Sequence, residues 1–101
     1  MAYLEIIKIQ TQPTTEPALD LIWSAVAAES DRDLLSCKIL RNSAIANELM
    51  VILTWKTQRR QPWGSPLAQG LVQEFRRLGL VDHSIWSDLS ARSDGNPLLD
   101  D

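Results

Sequence analysis

The chain holds one histidine, one cysteine, one tyrosine and four tryptophans. His83 is the one side chain that titrates near neutrality without help from its surroundings, which makes it the candidate general base. A base needs an orienting partner and a substrate within hydrogen-bond reach. Asp82 adjoins it in sequence, but neighbours on a strand point to opposite faces. Trp55 ends the apolar run "ELMVILTW" and precedes a basic, proline-bearing link that carries a second indole, Trp63. Two readings of Trp55 stand side by side: core packing under a helix, or the wall of a cavity between sheet and helices. His83 and Trp55 are the candidate catalytic residues. Tyr3, Trp23, Trp55, Phe75 and His83 are the candidates to line a ligand pocket, although Trp23 reads equally as core filler.

Other chemistries find little support. Cys37 is alone, so neither an intrachain disulfide nor a cysteine metal cluster forms, and it reads as a small buried hydrophobe. One histidine among scattered carboxylates gives no metal-ligand spacing. The glycines at 64, 70, 79 and 95 are isolated and make no phosphate loop. A net charge of −3 leaves no basic footprint for nucleic acid. The pairs Arg59-Arg60 and Arg76-Arg77 read as solvated faces. "MAYLEIIKIQ" reads as a strand and not a signal peptide, and no apolar stretch approaches the ~20 residues that span a bilayer. The expectation is a soluble cytoplasmic protein without cofactor, membrane or nucleic-acid partner.

The 101 residues predict one domain. Tyr3 to Gln10 is β-branched and apolar on both parities, so both faces of this strand are expected to be covered. Thr14 or Thr15 can cap a helix entered through Pro17, with Leu19, Ile22, Trp23 and Val26 as its stripe. Cys37 to Arg41 is a short strand, and Asn42 and Asn47 are turn formers around the loop that follows. Glu48 to Lys56 is the strongest strand, with Leu49, Val51, Leu53 and Trp55 on one face. Ser65 and Pro66 start a second helix whose stripe is Leu67, Leu71, Val72, Phe75 and Leu78, stopped by Gly79. Gly70 inside that helix costs about 1 kcal/mol relative to alanine, which predicts close packing there. Val81 to Leu89 is the last strand. A domain over 1–90 and a loose tail over 91–101 follow.

The order β-α-β-β-α-β is the split β-α-β, or ferredoxin-like, arrangement: α+β, four antiparallel strands with two helices on one face. Strands that are greasy on both sides need a second cover, and no element is left to supply it. A second copy packed sheet to sheet answers this, as a homodimer hiding about 700 Å² per subunit.

With this order and the tryptophan-ended third strand, the chain resembles the dimeric α+β barrel superfamily, and within it the antibiotic-biosynthesis-monooxygenase-like group. The resemblance covers residues 3 to about 90. It implies a dimer and either a cofactor-independent oxygenase or a binder of a small apolar or aromatic molecule. The alternative is a non-catalytic structural or interaction protein with a filled pocket. Haem-degrading members of the group carry an asparagine on strand 1, a tryptophan on strand 3 and a histidine in helix 2. Trp55 matches the second, "YLEIIKIQ" holds no asparagine, and His83 lies beyond Gly79. Haem degradation is therefore disfavoured.

Overall fold

A computed structural model of the chain describes residues 3–56 and 63–90. Arg59-Arg60 and the tail over 91–101 lie outside those residues. The elements are β1 (Tyr3–Thr11), α1 (Glu16–Ala28), β2 (Leu34–Arg41), β3 (Glu48–Trp55), α2 (Pro66–Phe75) and β4 (Gly79–Ser87). The β-α-β-β-α-β order read from the sequence is the observed order. The four strands form one antiparallel sheet in the order β2-β3-β1-β4. The two longest apolar runs, β1 and β3, therefore lie at its centre.

Strand parity explains the two-sided greasiness. On β1, Tyr3, Glu5, Ile7, Ile9 and Thr11 are buried, and the alternate residues are not. On β3, Leu49, Val51, Leu53 and Trp55 are buried, while Met50, Ile52 and Thr54 are half-buried. The buried parity meets the helices, with α2 contributing Leu67, Ala68, Leu71, Val72 and Phe75. The other parity forms an open sheet face on which Leu40, Leu80 and Trp86 are exposed.

Several boundaries and faces differ from the sequence reading. β2 begins at Leu34, three residues before Cys37, and accommodates a register shift between Leu34 and Ser36. β4 spans Gly79–Ser87, so Gly79 opens the strand as it follows the helix. A Cβ there would collide with the backbone carbonyl of Gln10, so this close strand pairing demands glycine. On α1 the buried residues are Ala18 and Ile22, with Leu21, Ala25 and Val26 partly buried against the core. Trp23 is 59% exposed and is not core filler. At roughly 100° per residue it sits well round the helix from Ile22, and the small Ala18 takes the place that hydrophobicity alone would give to an indole. Gly70 corrects a second expectation: nothing lies within 4 Å of where its Cβ would be, so no close packing requires it.

The turn residues behave as their chemistry predicts. Asn42 Oδ1 accepts from the N–H groups of Ala44 and Ile45, and its amide donates to Glu48. Asn47 adopts φ of 61°, the left-handed region that asparagine tolerates. Among the described residues no helix is long and apolar enough to cross a membrane.

Candidate active site

The β1 register sets the geometry of the site. Glu5 stands opposite Leu53 on β3 and Ile85 on β4. Residues two along a strand share a face, so Trp55 and His83 are its diagonal neighbours on the helix side. Glu5 itself is fully buried. A bare carboxylate there costs several kcal/mol, so its oxygens must be satisfied. They are: Trp55 Nε1–H donates to Oε1 at 2.7 Å, and Ser65 N–H donates to Oε2 at 2.9 Å. His83 Nε2 lies 3.2 Å from the same Oε2.

The link into α2 closes over this carboxylate for local reasons. Ser65 is the N-cap, its hydroxyl accepting from Ala68 N–H at 3.1 Å, and Pro66 takes the first helical position. That geometry aims the Ser65 N–H and the positive end of α2 at Glu5. Gln69, one turn along, donates its amide to the Gly64 carbonyl at 3.0 Å and holds the link down. Gly64 has φ of +91°, and a Cβ on it would strike Glu5 Oε2 and lie 2.6 Å from His83 Cε1. Only glycine lets the backbone approach the pair this closely.

His83 joins the buried carboxylate to the outside. Its side chain is 17% exposed and lines a cavity of about 330 Å³ with Trp63, Gln69, Val72, Gln73 and Arg76. Taken as a carboxylate, Glu5 accepts from all three partners. The ring proton of His83 is then assigned to Nε2, facing Glu5, which leaves Nδ1 as the nitrogen able to accept. A histidine oriented by a buried carboxylate beside a cavity can take a proton from a bound molecule.

The structure brings together some of the residues singled out in the sequence and separates others. His83 and Trp55 meet at Glu5. Tyr3 stacks on Trp55, with ring centroids 6.2 Å apart and planes inclined by 14°. Tyr3, Trp55 and Phe75 are buried in the core between sheet and helices. The cavity instead lies between α2 and the edge strand β4. Of the five residues expected to line a pocket, His83 is the one that lines this cavity, and Trp23 lies on the outer surface of α1. Trp63, which is 61% exposed, supplies the indole that Trp55 does not. Glu5, Gly64 and Ser65 were not anticipated as site residues. The parity of β1 could have found Glu5, because a charged residue in register with Tyr3, Ile7 and Ile9 faces the core. Among the described residues no group of three or more His, Cys, Asp or Glu side chains is placed to hold a metal ion. Cys37 is half-buried, and burial pushes its thiol pKa up, away from the reactive thiolate.

No protein-family model and no curated protein matches the chain in sequence. Solved structures do match it in fold. SnoaB, a cofactor-independent oxygenase from Streptomyces nogalater, superposes with a TM-score of 0.69 at 12% identity, over 91% of this chain and 97% of that one. A candidate antibiotic biosynthesis monooxygenase from Chloroflexus aurantiacus J-10-fl gives 0.64 at 15% identity, over 94% and 100%. A conserved protein from Methanosarcina mazei Go1 gives 0.68 at 13% identity, over 87% and 93%. The chain has the fold of the antibiotic-biosynthesis-monooxygenase-like proteins, the group its sequence pattern resembles.

Proposed function

We propose that this chain is a homodimeric, cofactor-independent oxygenase that binds a small aromatic substrate in the cavity beside His83. The observation that carries the reading is His83 itself, with one ring edge on a buried carboxylate and its side chain lining a cavity. The likeness of fold to SnoaB supports the reaction class. In this reaction His83 Nδ1 removes a proton from the activated CH₂ of an anthrone-like substrate. The resulting electron-rich carbon is oxidised by O₂. One oxygen atom forms the new C=O bond, and cleavage of the O–O bond releases the other as water, so CH₂ and O₂ become C=O and H₂O. Glu5 orients the imidazole and balances the charge it acquires. The indole of Trp55 is buried and its N–H is committed to Glu5, so Trp55 acts as a positioning residue.

Oxygen-electrode measurements with an anthrone test this. His83→Ala is expected to lower turnover about 100-fold or more, the usual worth of a general base. Full turnover in that variant removes the base from the mechanism.

The open sheet face supports the dimer. Ile6, Leu40, Met50, Ile52, Leu80 and Trp86 share its parity, and a second copy packed by two-fold symmetry would cover them. Ile52 lies near the middle of that face, opposite Ile6 and Lys38. By sedimentation the chain is expected to be a dimer at micromolar concentration. Ile52→Lys, which would bury an unpaired charge, is expected to shift it to monomer. A monomeric parent would remove the dimer, and an unaffected variant would place the contact elsewhere.

A non-catalytic reading has one observation in its favour: Tyr3, Trp55 and Phe75, expected to line a pocket, are buried in the core. It predicts no oxygen uptake with any quinol or anthrone and no change in melting temperature with aromatic compounds.

A further inference from the structure

Among the described residues, the lining of the cavity beside His83 is electrically one-sided. Arg76 follows the last turn of α2 and brings the permanent cation of this wall. Its neighbour Arg77 is paired with Glu74 at 3.8 Å, whereas Arg76 has no ion-pair partner among the described residues. Among the described residues, Glu5, Asp82 and Glu74 are turned away from the cavity or already used. Glu5 is fully buried behind His83, with both oxygens accepting hydrogen bonds. Asp82 belongs to the opposite face of the sheet, where it pairs in register with Lys8. Glu74 lines the far side of α2, in the groove shared with Leu21 and Leu67. Gln69 and Gln73 add neutral amides, Val72 an apolar patch, and the exposed Trp63 a flat aromatic face.

We infer that this cavity selects planar aromatic anions, with Arg76 receiving a carboxylate or phenolate, Trp63 stacking on the ring, and the opposite ring edge presented to His83. A guanidinium offers a carboxylate two parallel N–H bonds, which fixes the direction of a flat ligand as well as its charge. The volume of about 330 Å³ lies at the small end of ligand sites and fits one or two fused rings. This specificity rests on the reading of the His83 cavity as the substrate site, and it makes Arg76 the residue that sets which aromatic molecules enter.

Calorimetric titration of the full chain with naphthoate and with its neutral isostere naphthamide tests the inference without requiring turnover. Naphthoate is expected to bind about five- to tenfold more tightly, the range for a partly solvated charge-assisted pair. Arg76→Gln should abolish that preference while leaving naphthamide binding in place, and Arg76→Lys should restore part of it. Raising the salt concentration should weaken naphthoate alone. Equal binding of both compounds, no binding of naphthoate, or an unchanged preference in Arg76→Gln overturns the inference. The outcome is separable from the oxygenase reading. Oxygen uptake with an anthrone, alongside equal binding of naphthoate and naphthamide, would leave the reaction standing and remove the anion selectivity. Arg76-dependent naphthoate binding without oxygen uptake from any quinol or anthrone would do the reverse.

Discussion

Glu5→Ala is expected to cost about 3–5 kcal/mol of folding stability, the range for breaking a buried charged network from one side. The substitution removes the acceptor for Trp55 Nε1–H and for Ser65 N–H together. Both donors stay behind in the core, and each unsatisfied group carries its own desolvation penalty of about 1–3 kcal/mol. A domain of this size has only about 5–15 kcal/mol in total, so the variant should melt far below the parent or fail to accumulate. Glu5→Gln separates structure from chemistry. Its amide keeps the shape and one acceptor oxygen but turns an NH₂ towards groups that can only donate, or towards His83. His83 relieves the conflict by moving its proton from Nε2 to Nδ1, which removes the nitrogen proposed to take a substrate proton. Glu5→Gln should therefore fold, with a melting point lowered by about 5–15 °C. Its oxygen uptake should fall about 100-fold. Circular-dichroism melts and oxygen-electrode rates check both halves. Parental stability in Glu5→Ala would mean that the carboxylate is not the anchor described above.

Gly64→Ala is the second change with a large expected effect. The φ of +91° alone disfavours a Cβ by about 1–2 kcal/mol. The new methyl also meets Glu5 Oε2 and the His83 ring. An exposed side chain would swing clear at little cost, but Glu5 is enclosed and its oxygens are committed. Relief therefore comes from losing the Ser65 contact or displacing His83. The combined loss should be about 2–3 kcal/mol, or roughly 10–20 °C in melting temperature for a chain of this length. Gly70→Ala is the internal control. Its Cβ points into open space on a helix, so it should stabilise by up to about 1 kcal/mol. Equal effects at the two glycines would contradict the close approach at Gly64.

How much of this was legible beforehand depended on whether a signal was local. Strand parity on β3, the Ser65-Pro66 start of α2 and the Asn42 and Asn47 turns are written in short stretches, and each held. The face of α1 was legible at Leu19, Ile22 and Val26, which pack on the core, but not at Trp23, which is exposed while Ala18 is buried; only tertiary packing makes that choice. Gly70 misled because a helical glycine records a cost without saying whether anything packs against it. Glu5 was hidden by its type. A glutamate between two apolar residues reads as solvent-facing until a neighbouring strand supplies an indole N–H fifty positions away. The cavity was hidden for a similar reason: Trp55 is enclosed in the core, and the cavity that His83 lines is built by α2 and β4, which meet only in the folded chain.

Strand order has a temporal corollary. β1 is synthesised before its neighbours, yet its two flanks are filled by β3 and β4, so Glu5 must wait for residues 50, 60 and 78 positions downstream. Until β4 zips into place, Glu5 lacks one of its three partners, and that is a reason for the unfinished fold to stay loose. The candidate base His83 thus arrives on the same segment that completes the hydrogen-bonding of Glu5.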